Sequence, residues 1–451
     1  MGPFRRAFIA TVVVLAFLVG TFAFLDHAQG PKLSTIQVDR TAVVNRSGQT
    51  LRIFVNERIA SLTRRHVVVS PAVPTTVTAA GQLIVVQFAQ PLAYGTTYRV
   101  SVSGVAGMDD GQTSTIRTAF TTPTPRLYYL RRSGSSAPDQ IIRTGLRGAG
   151  ATTVFRASRI SSFAVFPQAL AVVTLDKQGE SSLEFVAPDG TAEQIDLPGP
   201  GTVDQVNGNP DSGILGFTFT SAGAAPNRRY TDTLFMVNPA GTAVPTPVKA
   251  IDGHPLSVLS WFFVPASTEF VVQDYNQGVQ ILDSTNPKAV VPLGNYLQLN
   301  SIANDGKSIV VTDINGPLEV TVPSGRTTRL NPSMLKGARP FGGIAQAIPG
   351  GWVQIDSTFD SKNHSFNDHL AVDDGGTARE IYSTVNPRGE INGFSVSPNN
   401  EYVAIETTPN TSTSTPDGYA VNGRPTSVTT ELVNVRTGLL VKDIEGFDLS
   451  W

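Results

Sequence analysis

The stretch "FDLSW", Phe447–Trp451, is apolar at alternate positions and carries an indole as its last side chain. Terminal segments are usually polar and frayed, so a segment of this kind asks for a partner. Residues 126–158 hold three strand-like runs, "RLYYLRR" (126–132), "DQIIRTG" (139–145) and "TTVFRAS" (152–158), with no strand to precede them. Set beside them as an innermost strand, 447–451 completes a four-stranded sheet and closes a ring. An open ring would expose two unpaired sheet edges, and closure removes both. Trp451 is then expected to be buried in the seam.

A unit recurs between those two regions: an apolar strand, a turn with Pro, Gly, Asn or Asp, a longer apolar strand, and two further strands. It is visible in "SFAVFPQALAVVTLD" (162–176), "SWFFVPASTEFVVQDY" (260–275), "NSIANDGKSIVVTDI" (300–314) and "FSVSPNNEYVAIET" (394–407). Aligned on Pro167, Pro210, Pro265, Asn304, Pro349 and Pro398, the spacings are 43, 55, 39, 45 and 49 residues. Periods of about 40–50 residues with four strands each predict propeller blades. Residues 126–451 then make a seven-bladed ring, or six if the first three strands pair differently. The turns "FPQA", "NPDS", "VPAS", "NDGK", "IPGG" and "SPNN" are similar to the Ser-Pro-Asp-Gly turns of TolB-like and WD40-like propellers, a resemblance over the whole of 126–451 that implies fold and no particular partner.

Ahead of the ring, "TLRIFVN" (50–56), "RHVVVSP" (65–71), "QLIVVQFA" (82–89), "TYRVSVSG" (97–104) and "IRTAFTT" (116–122) alternate with period two between turn clusters, which predicts an antiparallel sandwich. The order of "FAQPLAYGTTYRVSVSG", an Asp-x-Gly turn and a final "FTT" resembles the bacterial SbsA-type Ig-like domains of surface-layer and other cell-envelope proteins. That resemblance implies a spacer or adhesion module without catalytic residues. Tyr98 is expected to be a core tyrosine whose hydroxyl bonds back to the main chain. "TTPTP" (121–125) reads as a stiff linker. The expected organisation is 1–31 as a cytoplasmic stub and anchor, 32–123 as the Ig-like sandwich, and 124–451 as the propeller.

The anchor is inferred from the 19 uncharged residues Ala7–Leu25, which would span about 28 Å as a helix, close to the hydrocarbon core of a bilayer. Arg5 and Arg6 flank it on one side and Asp26 on the other, predicting a single-pass membrane protein with its bulk outside the cytoplasm. The rival is a signal peptide cut at Ala28-Gln29-Gly30.

Composition removes several chemistries. The chain has no cysteine, so disulfides, thiolate metal sites and cysteine nucleophiles are excluded. Charged residues are only 16% and the net charge is −2, which argues against nucleic acid as a partner. No Gly-x-Ser-x-Gly, no His-Glu-x-x-His and no sialidase box occurs. "FDSKNHSFNDHLAVDD" (359–374) offers Asp360, His364, Asp368 and His369 to a divalent ion, but the spacing fits no zinc pattern and a solvated loop is the plainer reading. "NGNPDSG" (207–213) departs from a calcium loop and is expected to be an ordinary turn. No metal and no cofactor is therefore expected.

In a four-stranded blade, the connection from second to third strand lies on the same face of the disk as the connection into the next inner strand. Three such connections are long: 221–232, 358–368 and 408–428. Long loops on one face of a rigid scaffold are where binding resides. The expected partner-binding residues are Arg228, Arg229, Tyr230, His364, Phe366, Tyr419 and Arg424, with an unknown envelope protein or glycan as partner. The expectation is a noncatalytic recognition or scaffold protein of the cell envelope. The alternative is an envelope hydrolase or lyase acting on glycan or peptide at the propeller face, through carboxylates such as Asp360 and Asp368.

Overall fold

A computed structural model describes the chain apart from residues 1, 28–29, 109–110, 135–136, 148–149, 224–228, 242, 287, 362–363 and 385–387, and the side chains of 3, 6–7 and 20–27. Beyond its first helix the described chain is β apart from two short helical turns, Ala42–Asn45 and Arg64–His66, and it divides into two compact units, Met1–Thr124 and Pro125–Trp451.

Pro3–His27 form a 25-residue helix. Among the described residues no helix is long and apolar enough to cross a membrane. The expected single-pass anchor over residues 7–25, and with it the placement of the bulk across a membrane, is corrected accordingly. The alternative cut at 28–30 falls mostly outside the described residues.

The first unit has two antiparallel sheets. One orders Leu33–Val38, Thr50–Val55, Leu83–Phe88 and Thr75–Ala80; the other orders Val67–Ser70, Thr97–Ala106 and Thr113–Thr121. Their apolar faces meet where the rings of Phe88 and Phe120 lie 6.1 Å apart. Tyr98 is 2% exposed, and its hydroxyl accepts the Ala93 amide at 3.0 Å. The core tyrosine expected from the sequence is in place.

The second unit is a β-propeller of seven four-stranded antiparallel sheets. Blades 1 to 6 begin with the inner strands Ile160–Phe166, Gly201–Asn209, Val258–Phe263, Gln298–Ile302, Phe341–Ile348 and Glu390–Val396. Blade 7 takes its inner strand, Phe447–Ser450, from the far end of the chain and its other three, Arg126–Arg131, Asp139–Gly145 and Thr152–Ala157, from the start of the unit. Phe447 pairs with Leu130 and Ser450 with Tyr128. Phe447 is 2% exposed, in an apolar cluster with Leu130, Ile141, Ile160 and Phe163. Trp451 is half-buried, its indole N–H donating to Ser395 Oγ at 3.2 Å. The six residues used to align the repeat all fall in turns between inner and second strands.

Apolar clusters bind blade 1 to 2, 2 to 3, 3 to 4, 4 to 5, 5 to 6 and 7 to 1. Every inner strand slips register against its neighbour, at Ile160/Ser162, Asp204/Asn207, Val258/Ser260, Leu299/Ser301, Gly342/Ala345, Ile391/Gly393 and Phe447/Ser450. The slips at Ile160/Ser162, Val258/Ser260, Gly342/Ala345 and Ile391/Gly393 sit toward the end where the chain enters the inner strand, on the face that also carries the second-to-third connections, called here the loop face. On the other face Asn304 of blade 4 donates to the Ser397 carbonyl of blade 6 at 2.8 Å, bridging that mouth of the ring.

Blade 5 turns Trp352, Gln354 and Asp356 of strand Gly351–Asp360 toward blade 4, where Trp352 joins the apolar cluster. Asp356 is fully buried and neither carboxylate oxygen has a hydrogen-bond partner among the described residues. Burial, reinforced by the charge of Asp373, raises its pKa to about 7.

Two stability measurements follow from this packing. Replacing Phe447 by alanine empties a fully enclosed site, a loss of about 3–5 kcal/mol, and should lower the melting temperature of the second unit in calorimetry of the full chain; an unshifted transition would place the ring's stability elsewhere. For Asp356 the folded-state pKa lies above the ordinary carboxylate value, so its contribution is fully favourable below about pH 4 and is lost as pH rises through 7. Asp356→Asn should therefore gain on wild type as pH rises from about 4 to about 7, whereas parallel pH curves would contradict it.

Candidate functional site

The long connection 409–428 in blade 6 is a folded hairpin, closed by a bridge between Pro416 and Pro425 and by the Asp417 amide donating to the Arg424 carbonyl at 3.0 Å. Arg132, at the end of a blade 7 strand, pins it. Its guanidinium donates to the carbonyls of Ile160 (3.1 Å), Ser161 (2.8 Å) and Asn422 (2.8 Å) and pairs with Asp417. The two charged side chains are 4% and 7% exposed. A buried ion pair is tolerable only when its remaining polar atoms are satisfied, and the three carbonyls do that here.

Tyr419 lies between two guanidiniums, with Arg132 at 3.7 Å and Arg159 at 4.4 Å from its ring centre. Its hydroxyl donates to Asp139, which also accepts the Ile160 amide at 2.9 Å and the Ser133 amide at 3.1 Å. Burial, together with the bond to Asp139, holds the Tyr419 phenol well above its usual pKa, so it stays protonated. A cavity of about 550 Å³ opens beside it on the loop face, lined by Gly134, Pro138, Ser158, Arg159, Asp417 and Tyr419.

Asp417 carries this cluster into the seam between blades 6 and 7, because its carboxylate also accepts the Arg424 amide at 3.1 Å. The Arg424 guanidinium donates to Asp448 at 3.1 Å and lies 3.9 Å from Glu406. The Asp448 amide donates to Glu406 at 2.7 Å. Glu406 is near the loop-face end of the second strand of blade 6, and Asp448 is in the first turn of the closing strand. Burial raises the Glu406 pKa to about 7, the charge of Asp448 raising it further and Arg424 opposing. Both carboxylates still reach solvent, at 19% and 28% side-chain exposure. Asp448 has a φ of 53°, a left-handed conformation that costs a non-glycine residue about 1–3 kcal/mol and clusters at active sites. The arrangement is one carboxyl whose pKa is raised to about 7 beside one paired with a guanidinium at 3.1 Å, two carboxyls in different environments, which is how one site comes to hold an acid and its complementary base.

The residues expected from the sequence divide. Tyr419 and Arg424 belong to this cluster. Arg228 lies outside the described residues, and Arg229 is exposed. Tyr230 packs edge-on against Phe235 at 5.1 Å, as part of the core between blades 1 and 2. His364 is exposed at a turn with a φ of 50°, and Phe366 is 55% exposed beside Phe359. The 359–374 segment does not gather its acids and histidines. Asp368 accepts Ser357 Oγ at 2.7 Å, while His369, on the opposite side of the strand, lies 2.8 Å from Glu380 and 2.9 Å from Thr358 Oγ1. Among the described residues no group of three or more His, Asp or Glu could hold a metal. Glu406, Asp448, Arg132 and Asp139 were missed, because strands alternate alike whether or not an acid meets another blade.

No protein-family model matches the sequence, and no curated protein matches it. Among solved structures it is similar to the β-propeller domain of the Trilobed protease from Pyrococcus furiosus, at 11% identity, a TM-score of 0.43, and coverage of 76% of this chain and 93% of that one. It is also similar to the dihydro-haem d1 dehydrogenase NirN (14% identity, TM-score 0.41, 72% and 74% covered) and to Pyrococcus horikoshii acylaminoacyl peptidase (13%, 0.42, 78% and 51% covered). The chain thus spans about half the length of that peptidase. Two of these neighbours are a dehydrogenase and a peptidase and the third is the propeller domain of a protease, and the expectation of a noncatalytic scaffold, of a chain that is no enzyme, is corrected on that finding. At these identities the likeness extends to fold, and chemistry rests on the chain's own residues.

Proposed function

We propose that the protein is a hydrolase that cleaves a peptide or glycan chain laid over the loop face, at the seam between blades 6 and 7. The observation that carries this reading is the Glu406–Asp448–Arg424 cluster. Glu406, with a pKa of about 7, is the general acid that protonates the leaving group. Asp448, paired with Arg424 at 3.1 Å, takes the proton of the attacking water. Arg132 and Asp417 fix the hairpin that carries Arg424, and the cavity beside Tyr419 receives part of the substrate. The first unit we read as an Ig-like spacer, supported by its two facing sheets and by the Tyr98 hydroxyl bond.

The test is turnover by the full chain of a panel of fluorogenic peptides and nitrophenyl glycosides. Glu406→Gln should lower kcat by about 10²–10⁴. Since Glu406 acts in its protonated form, the wild-type rate should fall as pH rises through about 7. Asp448→Asn removes a charge that raises the Glu406 pKa, so whatever activity remains should lose its alkaline limb at lower pH. Undiminished turnover by Glu406→Gln, or no turnover of any substrate by the wild type, would sink the reading.

A further inference from the structure

The large apolar side chains that the propeller leaves exposed are unevenly placed. Leu259 and Tyr275 of blade 3, and Leu297 and Ile314 of blade 4, are 39%, 52%, 48% and 86% exposed. Each lies at the start of an inner strand or in a second-to-third turn, and therefore on the loop face. Blade 5 continues the series with Phe341, Phe359 and Phe366, at 65%, 53% and 55% exposure. These three rings touch one another, Phe366 lying 5.8 Å from Phe341 and 5.3 Å from Phe359. Phe359 and Phe366 are a cross-strand pair near the tip of the hairpin. Blades 3, 4 and 5 are consecutive, and blade 5 adjoins the blade 6 side of the acidic seam.

We infer that this arc binds an extended peptide with apolar side chains, which makes the substrate of the seam a peptide and not a glycan. The inference rests on the hydrolase reading for its purpose, while the binding it predicts is separately measurable. Two features select the occupant. Among the described residues, the arc's charged groups are carboxylates already engaged, with no unpaired cation among them: Asp313 accepts two bonds from Arg329, at 2.7 and 2.6 Å, Asp274 caps its own turn through the amides of Asn276 and Gly278, and Tyr275 donates to Asp232. Such a surface offers nothing to a polyanion. Leu259, Leu297 and Ile314 are aliphatic, and burying sugar hydroxyls against them without hydrogen bonds is costly, whereas leucine- or phenylalanine-like side chains gain by it. An exposed apolar arc of this extent on one face marks an interaction site.

The test uses fluorescence anisotropy of the full chain with a labelled decapeptide alternating leucine and serine, against its threonine–serine counterpart, with chitohexaose as competitor. The leucine peptide should bind about ten-fold or more tightly than the threonine peptide. Phe359→Ser with Phe366→Ser should weaken it about ten-fold without changing the melting curve. Equal affinity for both peptides, full affinity in the folded double variant, or displacement by chitohexaose overturns the inference. Selective binding of the leucine peptide by a protein that turns nothing over would remove the hydrolase reading and leave the arc standing.

Discussion

The pairing of Phe447–Ser450 with Arg126–Arg131 is the constraint on which the second unit depends. Without it blade 7 would present an inner edge of unpaired amides and carbonyls to water. The same pairing sets Asp448 against Glu406 and brings Phe447 under Arg132 and Arg424, whose guanidinium carbons lie 5.0 and 5.5 Å from its ring centre. Ring closure and the acidic cluster are thus one event, since the strand that seals the propeller also delivers half of the carboxylate pair.

The seams differ in character. Those between blades 1 and 2 and between 3 and 4 join valine, leucine, isoleucine and phenylalanine side chains across the gap. The seam between blades 6 and 7 places Glu406, Arg424 and Thr430 among its contacts, Thr430 donating to the Gly446 carbonyl at 2.7 Å. Charged groups in a desolvated junction weaken the join unless each is matched, and the Arg424 bonds match them only in part, leaving Glu406 with its elevated pKa. An apolar arc over blades 3 to 5 and a charged seam after blade 6 divide the loop face into two regions of different chemistry.

Much of the ring was legible in the sequence because inner-to-second turns need residues that reverse the chain tightly. Pro167, Pro210, Pro265, Asn304, Pro349 and Pro398 mark those turns and fixed the repeat. The strands Leu33–Val38 and Thr75–Ala80 were not legible, since both lie at sheet edges and expose about half of their residues, so their apolar alternation is weak. Asp356 illustrates a deeper limit. Alternation in "GWVQIDS" suggests one wet face, yet a blade sandwiched between two others buries both faces, and the alternate polar positions Gln354 and Asp356 are fully enclosed. The 408–428 loop read as long and polar; what folds it is Arg132, distant in sequence, and no local pattern announces such a partner.

The slipped inner strands and the late-arriving seventh one bear on how the chain is made. Blade 7 begins with Arg126–Ala157 and is finished only by residues more than 300 positions later. During synthesis its three early strands emerge first and must persist with one open flank while six sheets form beside them. That flank is a template for mispairing, with a neighbouring ribosome's product as much as with the chain itself. The propeller's assembly in the cell is thus set by how long that half-made sheet can be kept from the wrong strand.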